Sequence, residues 1–194
     1  HKSKYIIDAK EWSTILLEAK RAHLKKKTEA ANKGTDVHAL IEGWIKKTIA
    51  ESSLSVASPE IDSKQAMAQI RHFMAWAIEN GVKFLESEKQ VYSRELFVAG
   101  TYDFKCQIKD KVLIGDIKTS TGIYDRVPFA QTAAYQLMEK EMDQDVVIDG
   151  RVIVNIKKDG KFNEEKDVHY SFDYEADIGL FLAALNIYRL MKNY

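Results

Sequence analysis

A single cysteine, Cys106, is all the thiol chemistry this 194-residue chain possesses. That excludes an intramolecular disulfide and any cysteine-based zinc or iron–sulfur cage, and it points to a cytoplasmic location. Cys106 lies in a strand-like run, so a small buried hydrophobe is expected there rather than a reactive thiol. No stretch approaches the roughly 18 apolar residues that span a bilayer, and the opening residues do not read as a signal peptide. No membrane association is therefore expected. His1-Lys2-Ser3-Lys4 has the look of a cut edge, with sequence expected upstream. Net charge is missing as well, since 29 Lys and Arg balance 29 Asp and Glu. A protein that grips many phosphates is usually basic, so the balance argues against a broad nucleic-acid-coating surface. An enzyme cleft needs only a local basic lining, and the balance leaves room for one.

What remains is an ordinary globular composition, 45% hydrophobic and 30% charged, at a length suited to one domain over residues 1–194. Apolar residues at helical spacing predict helices over about 8–32 (Trp12, Ile15, Leu16, Ala19, Ala22), 36–51 (Val37, Leu40, Ile41, Trp44, Ile45) and 64–80 (Met67, Ile70, Phe73, Met74, Ala77). Gly34 and Gly81 are placed to end the first and third of these, and Thr35 to cap the second. Ser52 to Ser63, with Pro59, reads as a polar connection. After this helical portion, about 8–80, a sheet core over about 82–194 is expected. Strands are predicted at 82–85, 90–98, 101–109, 111–118, 146–156 and 168–172, with turns at Lys109-Asp110-Lys111 and Asp159-Gly160. A helix falls at about 127–142. The closing segment, Ala176 to Met191, is apolar nearly all round, which predicts a helix packed on both sides. The order implies an α/β fold with one central mixed sheet flanked by helices.

The chemistry concentrates in Gly100-Thr-Tyr-Asp103 and Ile114-Gly-Asp116-Ile-Lys118. A tight turn between the two strands pairs residues whose numbers sum to about 219, which puts Asp103 opposite Asp116 or within one step of it. Lys118, two residues along, shares the face of Asp116. Carboxylates this close repel, and Val112, Leu113, Ile114, Ile117, Phe104 and Ile108 make both strands of the buried type. A divalent cation would remove the penalty, and oxygen ligands suit Mg²⁺ or Mn²⁺. Acids that hold a metal, with a lysine beside it to meet phosphate charge, are the parts that phosphodiester hydrolysis requires.

These motifs have company. Gly34-Thr-Asp-Val-His38-Ala-Leu-Ile-Glu42 precedes them and Gln131-Thr-Ala-Ala-Tyr135 follows, all within about 100 residues. The series resembles the PD-(D/E)XK nuclease superfamily, in particular its RecB-type exonuclease branch. The resemblance implies a restriction-endonuclease-like core and a metal held by His38, Asp103, Asp116 and the backbone carbonyl of Ile117. It implies that Lys118 activates water or stabilises the transition state, and that Gln131 and Tyr135 orient the site or touch the DNA backbone. Glu42, one turn beyond His38, is either a partner of the imidazole or a solvated acid. The branch often carries a further acid before Gly-x-x-Asp, for which Glu88 is favoured over Glu95. Tyr102 stands where many members have proline, and the four-cysteine cluster of some relatives is impossible here.

The expected function is a Mg²⁺- or Mn²⁺-dependent deoxyribonuclease, an exonuclease that takes single-stranded DNA from its ends during repair or recombination. Water would attack in line with the departing 3′ oxygen. A structure-selective endonuclease is an alternative, as is a non-catalytic DNA-binding module or a nuclease subunit serving a helicase or recombination protein. The basic run Lys20, Arg21, Lys25, Lys26, Lys27 and Lys33 is either a solvated face or a lining of the DNA path. Thr119, Ser120 and Tyr124 offer hydroxyls after the lysine strand.

Overall fold

The structure, a computed structural model, describes residues 37–52, 54 and 64–192, all within one compact unit. The expected first helix, its basic run and most of the 52–63 connection lie outside the described residues. Helix α1 covers residues 37–51, and α2 spans Lys64–Glu79. Strands β1 (Lys83–Ser93), β2 (Val98–Ile108) and β3 (Lys111–Lys118) follow as an antiparallel meander. Helix α3 (Val127–Met142) then crosses over to β4 (Gly150–Asn155), which runs parallel to β3. A one-turn helix α4 (Glu164–Asp167), an antiparallel edge strand β5 (Val168–Ser171) and α5 (Tyr174–Lys192) complete the chain. The result is an α/β fold whose mixed five-stranded sheet has the order β1-β2-β3-β4-β5. Among the described residues, no helix is long and apolar enough to cross a membrane.

Two apolar layers hold helices to the sheet. On one face, Ile41, Trp44 and Ile45 of α1 and Ile70, Phe73 and Trp76 of α2 meet Phe84, Phe104, Leu113 and Val152. Aromatic rings dominate, with Phe73 edge-on to both Trp44 and Phe104 at 6.1 and 5.8 Å; such pairs add to the burial itself. On the other face, Ala134, Tyr135 and Met138 of α3 cover Val91, Tyr102 and Ile114. Cys106 is fully buried in the first layer, as a small hydrophobe.

Three expectations about elements are corrected. The runs 82–85 and 90–98 are not two strands: β1 is continuous, and 94–97 is the turn into β2. That turn has no glycine or proline to announce it. The Ser93 hydroxyl accepts the Leu96 N–H, and Phe97 takes the left-handed conformation at φ 51°. The strand expected from Val146 starts only at Gly150, because 146–149 form a loop in which Asp149 exchanges bonds with Val112. Finally, α5 is not packed on both sides. Only Asp177 and Ile178 are buried, while Leu182, Ile187, Tyr188, Leu190 and Met191 face outward.

The first turn of α5 explains how an exposed helix is held. Asp177, wholly buried, accepts from Arg126 (2.7 Å), from buried Arg151 (3.0 Å) and from Ser171 (2.5 Å). Arg151 also donates to Gln136 of α3. The network ties α3, β4, β5 and α5 together through charge-assisted hydrogen bonds.

Candidate active site

The sheet places the candidate residues at the carboxyl ends of β3 and β4, its one parallel pair, which is where open α/β sheets bind ligands. Asp116 and Lys118 point toward α3. Lys118 Nζ lies 2.7 Å from Asp116 Oδ2 and donates to Gln131 Oε1 at 3.1 Å. Gln131 Nε2 in turn donates to the Tyr135 hydroxyl at 2.7 Å. The amide orientation follows from Lys118, which can only donate. Asp116, Lys118, Gln131 and Tyr135 thus form one chain of contacts across β3 and α3.

Asp103 reaches the same place from β2. The β2–β3 ladder ends at the pair Phe104↔Gly115, one step short of Asp103 and Asp116. Beyond it the Ile117 N–H is taken by the Asp103 carboxylate, with Oδ2 accepting at 2.6 Å. From α1, His38 Nδ1 comes within 3.8 Å of the same oxygen. Helix α1 and strands β2 and β3 thus bring His38, Asp103 and Asp116 together.

A break in strand alternation delivers Asp103. Lys89 and Lys105 both donate to Glu139 of α3, and Glu86 bonds Lys89, Lys105 and Tyr102. Glu86 and Lys89 are three residues apart, and so are Tyr102 and Lys105. Regular strands would send such pairs to opposite faces. Both strands instead leave alternation in the gap between the pairs Ser87↔Phe104 and Lys89↔Tyr102, across which the register is kept; the register itself shifts earlier, between Phe84 and Glu86. The residues in that gap are Glu88, in the left-handed region at φ 52°, and Asp103. A non-glycine residue held there stores about 1–2 kcal/mol, and such strain gathers at functional sites.

The electrostatics are those of crowded, buried acids. Burial pushes the Asp103 carboxyl up to about 7, and the neighbouring Asp116 adds to the shift while the Ile117 N–H opposes it. Asp116 is also pushed up by burial, against the pull of Lys118. Glu88 is raised by burial and then by Glu42. Burial holds His38 below its ordinary value, so the imidazole is neutral at pH 7 and its contact with Asp103 is not an ion pair. The Lys118 ammonium approaches Asp116 Oδ2 by distance alone; that buried oxygen has no aligned hydrogen-bond donor.

Neutral imidazole, the carboxylates of buried Asp116 and half-buried Asp103, and the Ile117 carbonyl are a donor set suited to a hard or borderline divalent cation. Bound charge would relieve the repulsion that raises both acids, and it would give the Asp116 oxygen a partner. As they stand, no three His, Cys, Asp or Glu side chains among the described residues form a closed cage. The donors fit a cation by chemistry, with Asp116 engaged by Lys118 in its absence.

Other candidates are sorted by the fold. Glu42 pairs with Lys46 on the helix surface and makes no described bond to His38. Glu95 is exposed in the β1–β2 turn, so the further acid near the site is Glu88. Ser120 folds back onto Gly122 and Asn155. Asn155 was not singled out by the sequence. It is fully buried, pairs in register with Lys118, and leaves its Nδ2 without a partner. Only parallel β3–β4 pairing, which is nonlocal, brings it there. No protein-family model matches the chain, and no curated protein matches its sequence.

Proposed function

We propose that this chain is a divalent-metal-dependent nuclease of the PD-(D/E)XK type, acting on single-stranded DNA ends in the manner of the RecB-type exonucleases. The observation that carries the reading is that buried Asp116 and half-buried Asp103, on neighbouring antiparallel strands, come together beside Lys118. Buried like charges are costly unless something binds them.

His38, Asp103, Asp116 and the Ile117 carbonyl would hold the cation. When bound, it would polarise the scissile phosphate and acidify a water. Lys118 supplies a fixed positive charge for the phosphoryl oxygens, and Gln131 holds that ammonium in place. The Tyr135 hydroxyl accepts from Gln131, so its own proton is left for a phosphate oxygen.

A second reading, a nuclease subunit completed by a helicase or recombination protein, is favoured by the outward-facing apolar residues of α5. The test is digestion of end-labelled single- and double-stranded DNA with Mg²⁺, Mn²⁺ or EDTA, comparing wild type with Asp116→Ala. Metal-dependent shortening that disappears in the variant is expected. Internal cuts in circular DNA would mark an endonuclease instead. Absence of cleavage with both metals overturns the stand-alone enzyme.

A further inference from the structure

Beside the catalytic chain of contacts lies a cavity of about 400 Å³ between α3 and α5, bordered by Val98 and Ala99 at the start of β2. Its volume falls in the range of small-molecule sites. Its lining includes Ala130, Ala134, Met138, Phe181 and Ala184, with no charged residue among the described ones. The polar side chains on the lining are Gln131, which accepts from Lys118, and Tyr135, which accepts from Gln131. The cavity is thus one hydrogen bond away from the lysine expected to meet phosphate.

A phosphate would not enter a chargeless, apolar space, whereas a flat uncharged ring would. The loop that leads into α3 also carries an exposed aromatic. Tyr124, in the loop from β3 to α3, is 83% exposed, and its ring folds over Gly122, where an added Cβ would lie 2.7 Å from it. Three residues on, Val127 forms part of the cavity lining and is itself exposed. Exposed aromatic rings are platforms on which unstacked bases stack.

We propose that this cavity takes the base of a nucleotide flanking the scissile phosphate. The inference rests on the nuclease reading and deepens it. A base held in a duplex cannot turn into the slot without being unpaired, so the cavity would be a physical source of single-strand preference.

The test uses a fluorescent deoxythymidine oligonucleotide and the same strand with abasic sites. Binding is measured by anisotropy in EDTA, and cleavage is measured separately with Mn²⁺. The wild type is expected to bind the base-bearing strand on the order of ten-fold more tightly than the abasic one. Ala184 lies on the exposed side of the lining, so Ala184→Trp fills the slot without entering the core. That variant is expected to lose the ten-fold preference, with the two strands converging. Equal binding of both strands by the wild type, or a preference that survives Ala184→Trp, overturns the cavity assignment. If Mn²⁺-dependent cleavage persists in that case, the nuclease reading stands alone. Absence of both binding and cleavage overturns both.

Discussion

The ring of Tyr135 occupies the space in which Gly100 would carry a side chain: a Cβ built there would lie 2.5 Å from Tyr135 Cε1. The glycine of Gly-x-x-Asp and the tyrosine of Gln-x-x-x-Tyr are therefore parts of one contact. Gly100→Ala should push Tyr135 off its bond with Gln131. We expect a loss of about 1–3 kcal/mol in chemical denaturation and a larger proportional loss of nuclease activity. A Gly100→Ala protein with unchanged activity would show that Tyr135 is only packing.

Gln131 is expected to act through Lys118. Gln131→Ala removes the acceptor that holds the ammonium, and a drop of about 10–100-fold in kcat is predicted, with little change in stability. The same substitution made in a Lys118→Ala background should cost almost nothing further. Independent, additive losses in that double-mutant cycle would refute the coupling.

The pH dependence of the metal-free protein follows from Asp103. Its folded value, about 7, lies above its ordinary 3.8, so the folded state binds this proton more tightly than the unfolded chain does. The contribution to stability is therefore greatest at acid pH and declines as pH rises toward and through 7. Thermal melts in EDTA should show Asp103→Asn gaining on the wild type between pH 5 and pH 8. Mn²⁺ should raise the wild-type melting temperature most at pH 8. A wild type that gains on Asp103→Asn over that interval without metal would contradict the assignment.

Glu88 separates strain from function. Glycine accepts its φ of 52° without strain, so Glu88→Gly is expected to keep or raise stability, by about 0.5–1 kcal/mol. It should weaken Mn²⁺ binding in isothermal titration. Unchanged affinity would remove Glu88 from the site.

Asp177 is predicted to matter for folding alone. Asp177→Asn leaves buried Arg151 without its counter-charge, at a cost of about 3–5 kcal/mol. Urea unfolding measures this directly, and a loss below 1 kcal/mol would mean that the network relaxes around Gln136 and Ser171.

The sequence by itself determined the elements with strong periodicity and the order of the motifs. Helix α3 falls at Val127–Met142 as expected, because its apolar spacing and its bounds are local. Asp116 and Lys118 share a face because strand alternation is local too. The pairing of Asp103 with β3 followed from a tight turn, the shortest of nonlocal relations. Tertiary structure decided the rest. The break in alternation at Glu88 and Asp103 has no composition signal, since it arises from two strands leaving alternation together. The 94–97 turn is built by Ser93 and a left-handed Phe97 rather than by glycine. Asn155 reaches Lys118 only through a crossover of more than 30 residues. For α5, hydrophobicity around the whole helix signalled burial, yet its position is set by one buried aspartate in its first turn. An apolar residue states a preference for burial, and whether a neighbour is there to cover it is a property of the assembled fold.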